Sequence, residues 1–244
     1  MYVVAIGNQK GGTGKTTTTM VLATALADPD RGPGMTVAIL DADPSEHVTR
    51  WHASRQEAGR PEIFGLVEHY DYDRREGLTS VFTDMVDDFI DGEKADVLII
   101  DLEGTGNDIF GKAVSRADLL IIPMQASSMD ARLAAKASGV ARRVAREFRI
   151  PVNYVFALSA TNAAPIVPRE ERLIRDELQR ANEPLLPASL NKRSAFQAMF
   201  TYGKTLGELT EDEARGVPKA IDNAVEFATA VTNHINELNE AAAA

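Results

Sequence analysis

Residues 9–17, Gln9-Lys10-Gly11-Gly12-Thr13-Gly14-Lys15-Thr16-Thr17 (QKGGTGKTT), decide how the rest of the chain is read. Gly14, Lys15 and Thr16 fit the end of the phosphate-binding pattern G-x-x-x-x-G-K-[ST], but its first glycine falls on Gln9, and a second lysine, Lys10, follows. An apolar run, YVVAIG (2–7), leads into the turn and a helical pattern leaves it near Lys15. Strand, glycine-rich turn and helix are the context that a phosphate loop needs. Gly11, Gly12 and Gly14 let the backbone curl so that its N–H groups, with those of Thr13 and Thr17, point inward at the positive end of a helix dipole. In such a loop Lys15 neutralises the β- and γ-phosphates and the Thr16 hydroxyl binds Mg²⁺. The competing reading is a glycine-rich turn with a solvated lysine, and the flanking elements argue against it.

Outward from the loop, apolar runs alternate with helical patterns. Strands are expected at 2–7, 36–41, 96–101, 119–124 and 153–158, with weaker candidates at 62–67 and 184–190. Helices are expected at 16–27, 46–58, 78–91, 130–148, 169–181 and 218–238. The strand runs are continuously apolar rather than alternating, as when both faces of a sheet are covered. The expectation is an α/β fold: a single-domain, mostly parallel twisted sheet with helices on both faces, spanning 1–240, with 241–244 as a frayed tail.

The 244 residues include no cysteine, which excludes disulfides, iron–sulfur ligation and thiol chemistry. No apolar run reaches bilayer-spanning length and no basic-then-apolar leader is present, so a cytoplasmic setting is expected. The formal net charge is −10, but positive charge is segregated. Residues 131–150 hold Arg132, Lys136, Arg142, Arg143, Arg146 and Arg149 against Glu147, and residues 191–204 hold Lys192, Arg193 and Lys204 with no acid. In 130–148, Leu133, Ala137, Val140, Val144 and Phe148 form an apolar stripe. Arg142, Arg146 and Arg149 project from the other side, either as a solvated face or as a surface for phosphate backbones.

DVLIIDLEG (96–104) reads as a Walker B strand: four apolar residues lead to Asp101, which would hold Mg²⁺ through water. The pattern K-G-G-x-G-K-T resembles the deviant Walker A of the ParA/MinD ATPases. That resemblance implies ATP and Mg²⁺ as cofactors. It also implies a role for Lys10, reaching across an ATP-sandwich homodimer to the partner's phosphates, where a cation stabilises the transferring phosphoryl group. ILDADPSEH (39–47) is similar to the family's D-x-D-P switch, which makes Asp43 the catalytic carboxylate and Asp41 a support of the metal's water shell, although Asp-Pro-Ser-Glu is also good capping sequence. Ser45 stands where many relatives have Gln. Relatives often continue Walker B with Thr-Pro-Pro, whereas this chain has Leu102, Glu103, Gly104, Thr105 and Gly106. Glu103 is assigned a minor role.

LLIIPMQASSMDARLA, with Gln125, Ser127 and Asp130, and NKRSAFQAMFTYGKTLGEL extend the resemblance over nearly the whole chain. With the first strand at Tyr2, the expected type is a small ParA without an N-terminal helix-turn-helix domain. The resemblance implies a nucleoid-associated partition ATPase that dimerises on ATP, binds DNA non-specifically and is released by a cargo-bound, ParB-like stimulating partner. Expected DNA contacts are Lys192, Arg193 and Lys204, then Arg142, Arg146 and Arg149. The alternatives are a ParA-like ATPase that promotes conjugal DNA transfer and a MinD-like membrane-cycling regulator. No membrane partner is expected, because the last residues, NHINELNEAAAA, are acidic and small rather than basic and amphipathic.

Overall fold

The computed structural model describes residues 1–70, 79–104, 108–163 and 166–243. Six strands form one all-parallel sheet: β1 (Tyr2–Ile6), β2 (Val37–Ala42), β3 (Leu66–His69), β4 (Val97–Leu102), β5 (Leu119–Met124) and β6 (Tyr154–Leu158). Their order across the sheet is β3-β2-β4-β1-β5-β6. β1 therefore lies between β4 and β5, where the chain's direction of winding reverses, and the loop leaving β1 opens into the crevice at the strands' carboxyl ends.

Alternate strand residues feed two cores. Val4, Ile6, Ile39, Ile99 and Ile121 face one, closed by α1 (Lys15–Ala27), α2 (His47–Glu57), α7 (Ser194–Tyr202) and α8 (Val217–Ala243). Val3, Ala5, Leu40, Ile100 and Ile122 face the other, closed by α3 (Thr79–Asp91), α4 (Asp108–Arg116), α5 (Ser128–Phe148) and α6 (Arg169–Arg180). Both sheet faces are dry, which is the physical reason the strands read as unbroken apolar runs.

The structure departs from the sequence reading in five places. The 62–67 candidate is displaced to 66–69 as edge strand β3. Residues 184–190 make one isolated bridge, at Leu185, instead of a strand: Phe156 N–H donates to Pro184 O and Leu186 N–H to Phe156 O, but Pro184 and Pro187 have no N–H with which to continue a ladder. Helices α4 and α7 fall where none was expected. Helix α8 runs to Ala243, past the expected end at 238, in keeping with alanine's helix propensity. Finally, the buried face of α5 is Ala134, Ala137, Ser138, Ala141 and Val144, while Phe148 is 58% exposed. Residue 78 and the 105–107 segment lie outside the described residues.

Gly7 joins β1 to the loop at close quarters: a Cβ there would stand 2.6 Å from the Phe110 ring and 3.0 Å from Leu102. Gly7→Ala is expected to cost about 1–3 kcal/mol through overpacking, read as a lower urea midpoint at unchanged m-value. An unshifted midpoint would contradict this packing constraint.

Candidate active site

The loop between β1 and α1 takes its shape from glycine. Gly12 (φ 76°) and Gly14 (φ 89°) are both left-handed, and Gly14 caps α1. Contacts from three other strand ends hold the loop. Ser159, just past β6, donates its hydroxyl to Thr13 O at 2.7 Å, and Gln125, just past β5, donates to Gly12 O at 3.1 Å. Gly104, after β4, lies so close that a Cβ would meet Gly11 N at 2.9 Å and Lys10 C at 3.0 Å. Asn8 Nδ2 donates to Pro123 O at 2.7 Å. Ser159 and Asn8 escaped the sequence reading because nothing local marks them.

The two lysines have different environments. Lys15 is buried, its Nζ folded back to Lys10 O at 3.3 Å. Lys10 is partly exposed and its Nζ lies 2.7 Å from Oδ1 of the buried Asp130. Asp130 in turn accepts the Ser127 hydroxyl at 2.8 Å on Oδ2, while Ser127 Oγ caps α5 by accepting Asp130 N–H at 3.1 Å.

Asp41 and Asp101 are paired in register on the neighbouring strands β2 and β4, and both are buried. Asp41 is fully engaged: Oδ2 accepts Thr49 N–H and Thr49 hydroxyl, each at 2.9 Å, and Oδ1 accepts Asp43 N–H at 3.3 Å. Its carboxylate therefore anchors the start of α2. Asp101 Oδ1 accepts the Thr19 hydroxyl at 2.9 Å, but Oδ2 is buried and unpartnered among the described residues, as is Thr18 Oγ1. Burial first, then the Asp41 charge, pushes the Asp101 carboxyl up to about 7, against the nearby Thr16 hydroxyl, the Thr19 hydrogen bond and the Lys15 charge. Burial also raises Asp41, and its Thr49 bonds oppose that. A buried acceptor with a spare oxygen, beside a second carboxylate and the Thr16 hydroxyl, is a donor set that suits a hard divalent cation. Thr19 repeats Thr16 one helical turn on, a spacing that could have marked it in the sequence.

Asp43 is half-buried and shapes the turn into α2. Its Oδ1 accepts Ser45 N–H at 2.9 Å and its carbonyl accepts Glu46 N–H at 2.9 Å. Beside the loop, a cleft of about 390 Å³ is bounded by Gly12, Thr17, Ser159, Lys192, Arg193 and Phe196. Lys192 and Arg193 thus stand at the phosphate loop rather than on a remote basic surface. Lys204 pairs with Glu213 at 2.6 Å and Arg142 with Glu183 at 3.0 Å, so both spend their charge within the chain. Arg146 and Arg149 are exposed near the end of α5. The structure gathers the loop, Asp41, Asp43 and Asp101 at one end of the sheet, together with Lys192 and Arg193, and leaves the remaining expected DNA contacts elsewhere.

The raised Asp101 has a pH signature. The folded state binds a proton that the unfolded chain releases near 4, so stability of the ligand-free protein falls as pH rises toward about 7. In chelator, urea unfolding at about pH 5 and about pH 8 is expected to show a loss at the higher pH that Asp101→Asn removes. The same loss in both proteins would contradict the assignment.

Comparison with known proteins agrees with this geometry. The profile of a family described as ATPase MipZ matches residues 2–152. A ParA protein of Rhizobium radiobacter is 30% identical over 239 residues, covering 97% of this chain and 99% of that protein. A virC1 protein of Rhizobium radiobacter is 24% identical over 248 residues, 99% of this chain and all of that one. Among solved structures, an ATP complex of Cyanothece McdA superposes with a TM-score of 0.74 at 16% identity, covering 95% of this chain and 96% of that one. MinD of Aquifex aeolicus gives 0.66 at 17%, covering 96% and 98%. These two are likenesses of fold. With a family match over more than half its length and a ParA relative aligned nearly end to end, the chain belongs to the MipZ/ParA family of ATPases.

Proposed function

We propose that this chain is an ATP-switched partition ATPase: with ATP and Mg²⁺ at the loop it pairs with a second copy, binds DNA without sequence preference, and lets go when a cargo-bound partner stimulates hydrolysis. The observation that carries the reading is the second lysine. Lys10 stands at the partly exposed edge of a loop whose own phosphate-facing lysine, Lys15, is buried. One chain has no need of both at a single phosphate group, whereas two chains face to face can use Lys15 in cis and Lys10 in trans.

In this reading the N–H groups of residues 11–17 and Lys15 bind the phosphates. Thr16 and Asp101 would hold Mg²⁺, with Asp41 supporting its water shell; the ion would supply charge neutralisation. Asp43 orients the attacking water from the turn into α2. Lys10 gives up Asp130 for the partner copy's phosphates, where positive charge in trans is worth about 10³–10⁵ in rate in comparable enzymes. Lys192 and Arg193 line the nucleotide cleft.

A relationship to virC1 proteins keeps a role in DNA transfer as the second reading, with the same switch and a different cargo. The membrane-cycling reading has less support: no described helix is long and apolar enough to cross a membrane, and the exposed large apolar side chains lie outside α8.

Lys10→Ala is expected to bind nucleotide yet lose stimulated hydrolysis, by about 10²-fold or more; turnover equal to wild type refutes the trans role. Asp43→Ala is expected to give an ATP-bound dimer that persists in size-exclusion runs, and rapid hydrolysis by that variant would count against Asp43. Duplex binding should require ATP and weaken with salt; no binding in any nucleotide state would defeat the DNA reading.

A further inference from the structure

The solvent face of α5 carries a row of cations that nothing in the fold uses. At about 100° per residue, Arg132, Lys136, Arg143 and Arg146 fall within an arc of about 80°, directly opposite the buried face of the helix. All four are exposed, and no described carboxylate lies within 4.0 Å of any of them. Several cations elsewhere are paired, among them Arg31 with Asp28, Arg116 with Asp87, Arg142 with Glu183, Arg175 with Glu171 and Lys204 with Glu213. In a chain of net charge −10, a row of four such cations, with Glu147 the one acid between residues 131 and 150, is a local reversal of sign.

Gly139 lies on the same arc, between Lys136 and Arg143. A glycine inside a helix costs about 1 kcal/mol relative to alanine. No packing explains it, since a Cβ at 139 would meet nothing within 4 Å. What the missing side chain leaves is a notch in the row, where another backbone can come close to the helix.

We infer that the outward face of α5, from Arg132 to Arg146 with the notch at Gly139, is a docking surface for the phosphate backbone of duplex DNA. The stretch is about 21 Å long at 1.5 Å per residue. That matches about six phosphates of one strand at 3.4 Å per step. Three of the four cations are arginines, whose planar fork suits phosphate oxygens. Between Arg132 and Arg146 the arc offers Gly139 but no aromatic or large aliphatic anchor, so this stretch lacks the centre of a protein interface. The apolar side of α5 is buried on the sheet and is not available to a bilayer. The surface excludes Arg142, which Glu183 holds, and differs from Lys192, Arg193 and Lys204.

This inference rests on the reading that the chain binds DNA, and the experiment separates the two. Binding of a short mixed-sequence duplex to the full chain with ATP and Mg²⁺ is followed from about 50 to 200 mM salt. The variants are R132A/K136A/R143A/R146A and Gly139→Leu, with ATP turnover as the control for folding. With four contacts at about 0.9 each, the quadruple variant should lose 3–4 from the slope of log affinity against log salt, and about 10²-fold in affinity at the low-salt end. Gly139→Leu should lose affinity with all charges kept. Wild-type affinity and slope in the quadruple variant overturns the placement while DNA binding itself stands. No duplex binding by the wild type fails both. Polyglutamate or phosphatidylglycerol vesicles bound as tightly as the duplex, and lost equally in the variant, would overturn the commitment to nucleic acid.

Discussion

Two carboxylates sit side by side in the dry end of a parallel sheet, and much of the site's architecture answers to that constraint. Asp41 and Asp101 are register partners on β2 and β4, and each is buried. Like charges so placed cannot both be comfortable without help. The fold satisfies one with Thr49 and the backbone of Asp43, which fastens α2 to the strand end. It leaves the other with one oxygen unpaired among the described residues and its ionisation pushed up to about 7. A divalent cation would relieve that tension, and Asp41, whose carboxylate accepts Asp43 N–H, ties the turn bearing Asp43 to the same strand end.

The turn is also tied to the opposite wall of the site. Trp51 Nε1 donates to Met199 O at 2.8 Å, and the buried Arg55 donates to Gly203 O at 3.2 Å while pairing with Glu208. Thus α2, which begins just after Asp43, is bonded to α7, whose first turn borders the cleft beside the loop. Gly104 presses the segment after Asp101 onto the Lys10–Gly11 peptide. The Asp41–Asp101 pair, the Asp43 turn, the cleft and the loop are neighbours through short contacts, so a change at one can bias the others by ordinary packing.

Charge is distributed with the same economy. The cations with structural work are matched to carboxylates, and Lys10 and Arg142 both belong to this group in the single chain. The difference lies in the number of partners each holds. Arg142 bridges Glu183, the Ser138 hydroxyl and the Tyr154 hydroxyl, joining α5 to β6 and the segment after α6. Lys10 has a single carboxylate at the rim of a loop, a contact that a phosphate can replace.

The sequence by itself determined the fold class, the five principal strands and the identity of the phosphate loop, because each is written in contiguous residues: unbroken apolar runs, glycines where φ must be positive, and acids at strand ends. Helices α4 and α7 were illegible for the converse reason. Both are nine residues long, and their buried positions, such as Ile109 and Phe110 or Ala195 and Phe196, make sense only against partners distant in the chain. Ser159 and Asn8 at the loop are of this kind too. So are the fates of the basic residues, since a run of arginines in sequence does not say which have carboxylates within reach. Only the tertiary structure decided that Arg142 and Lys204 are spent inside the chain, that Lys192 and Arg193 border the cleft beside the glycine-rich loop, and that one face of α5 keeps its charge for solvent. Electrostatic pairing acts over a few ångströms in space, and the sequence records order along the chain rather than that distance.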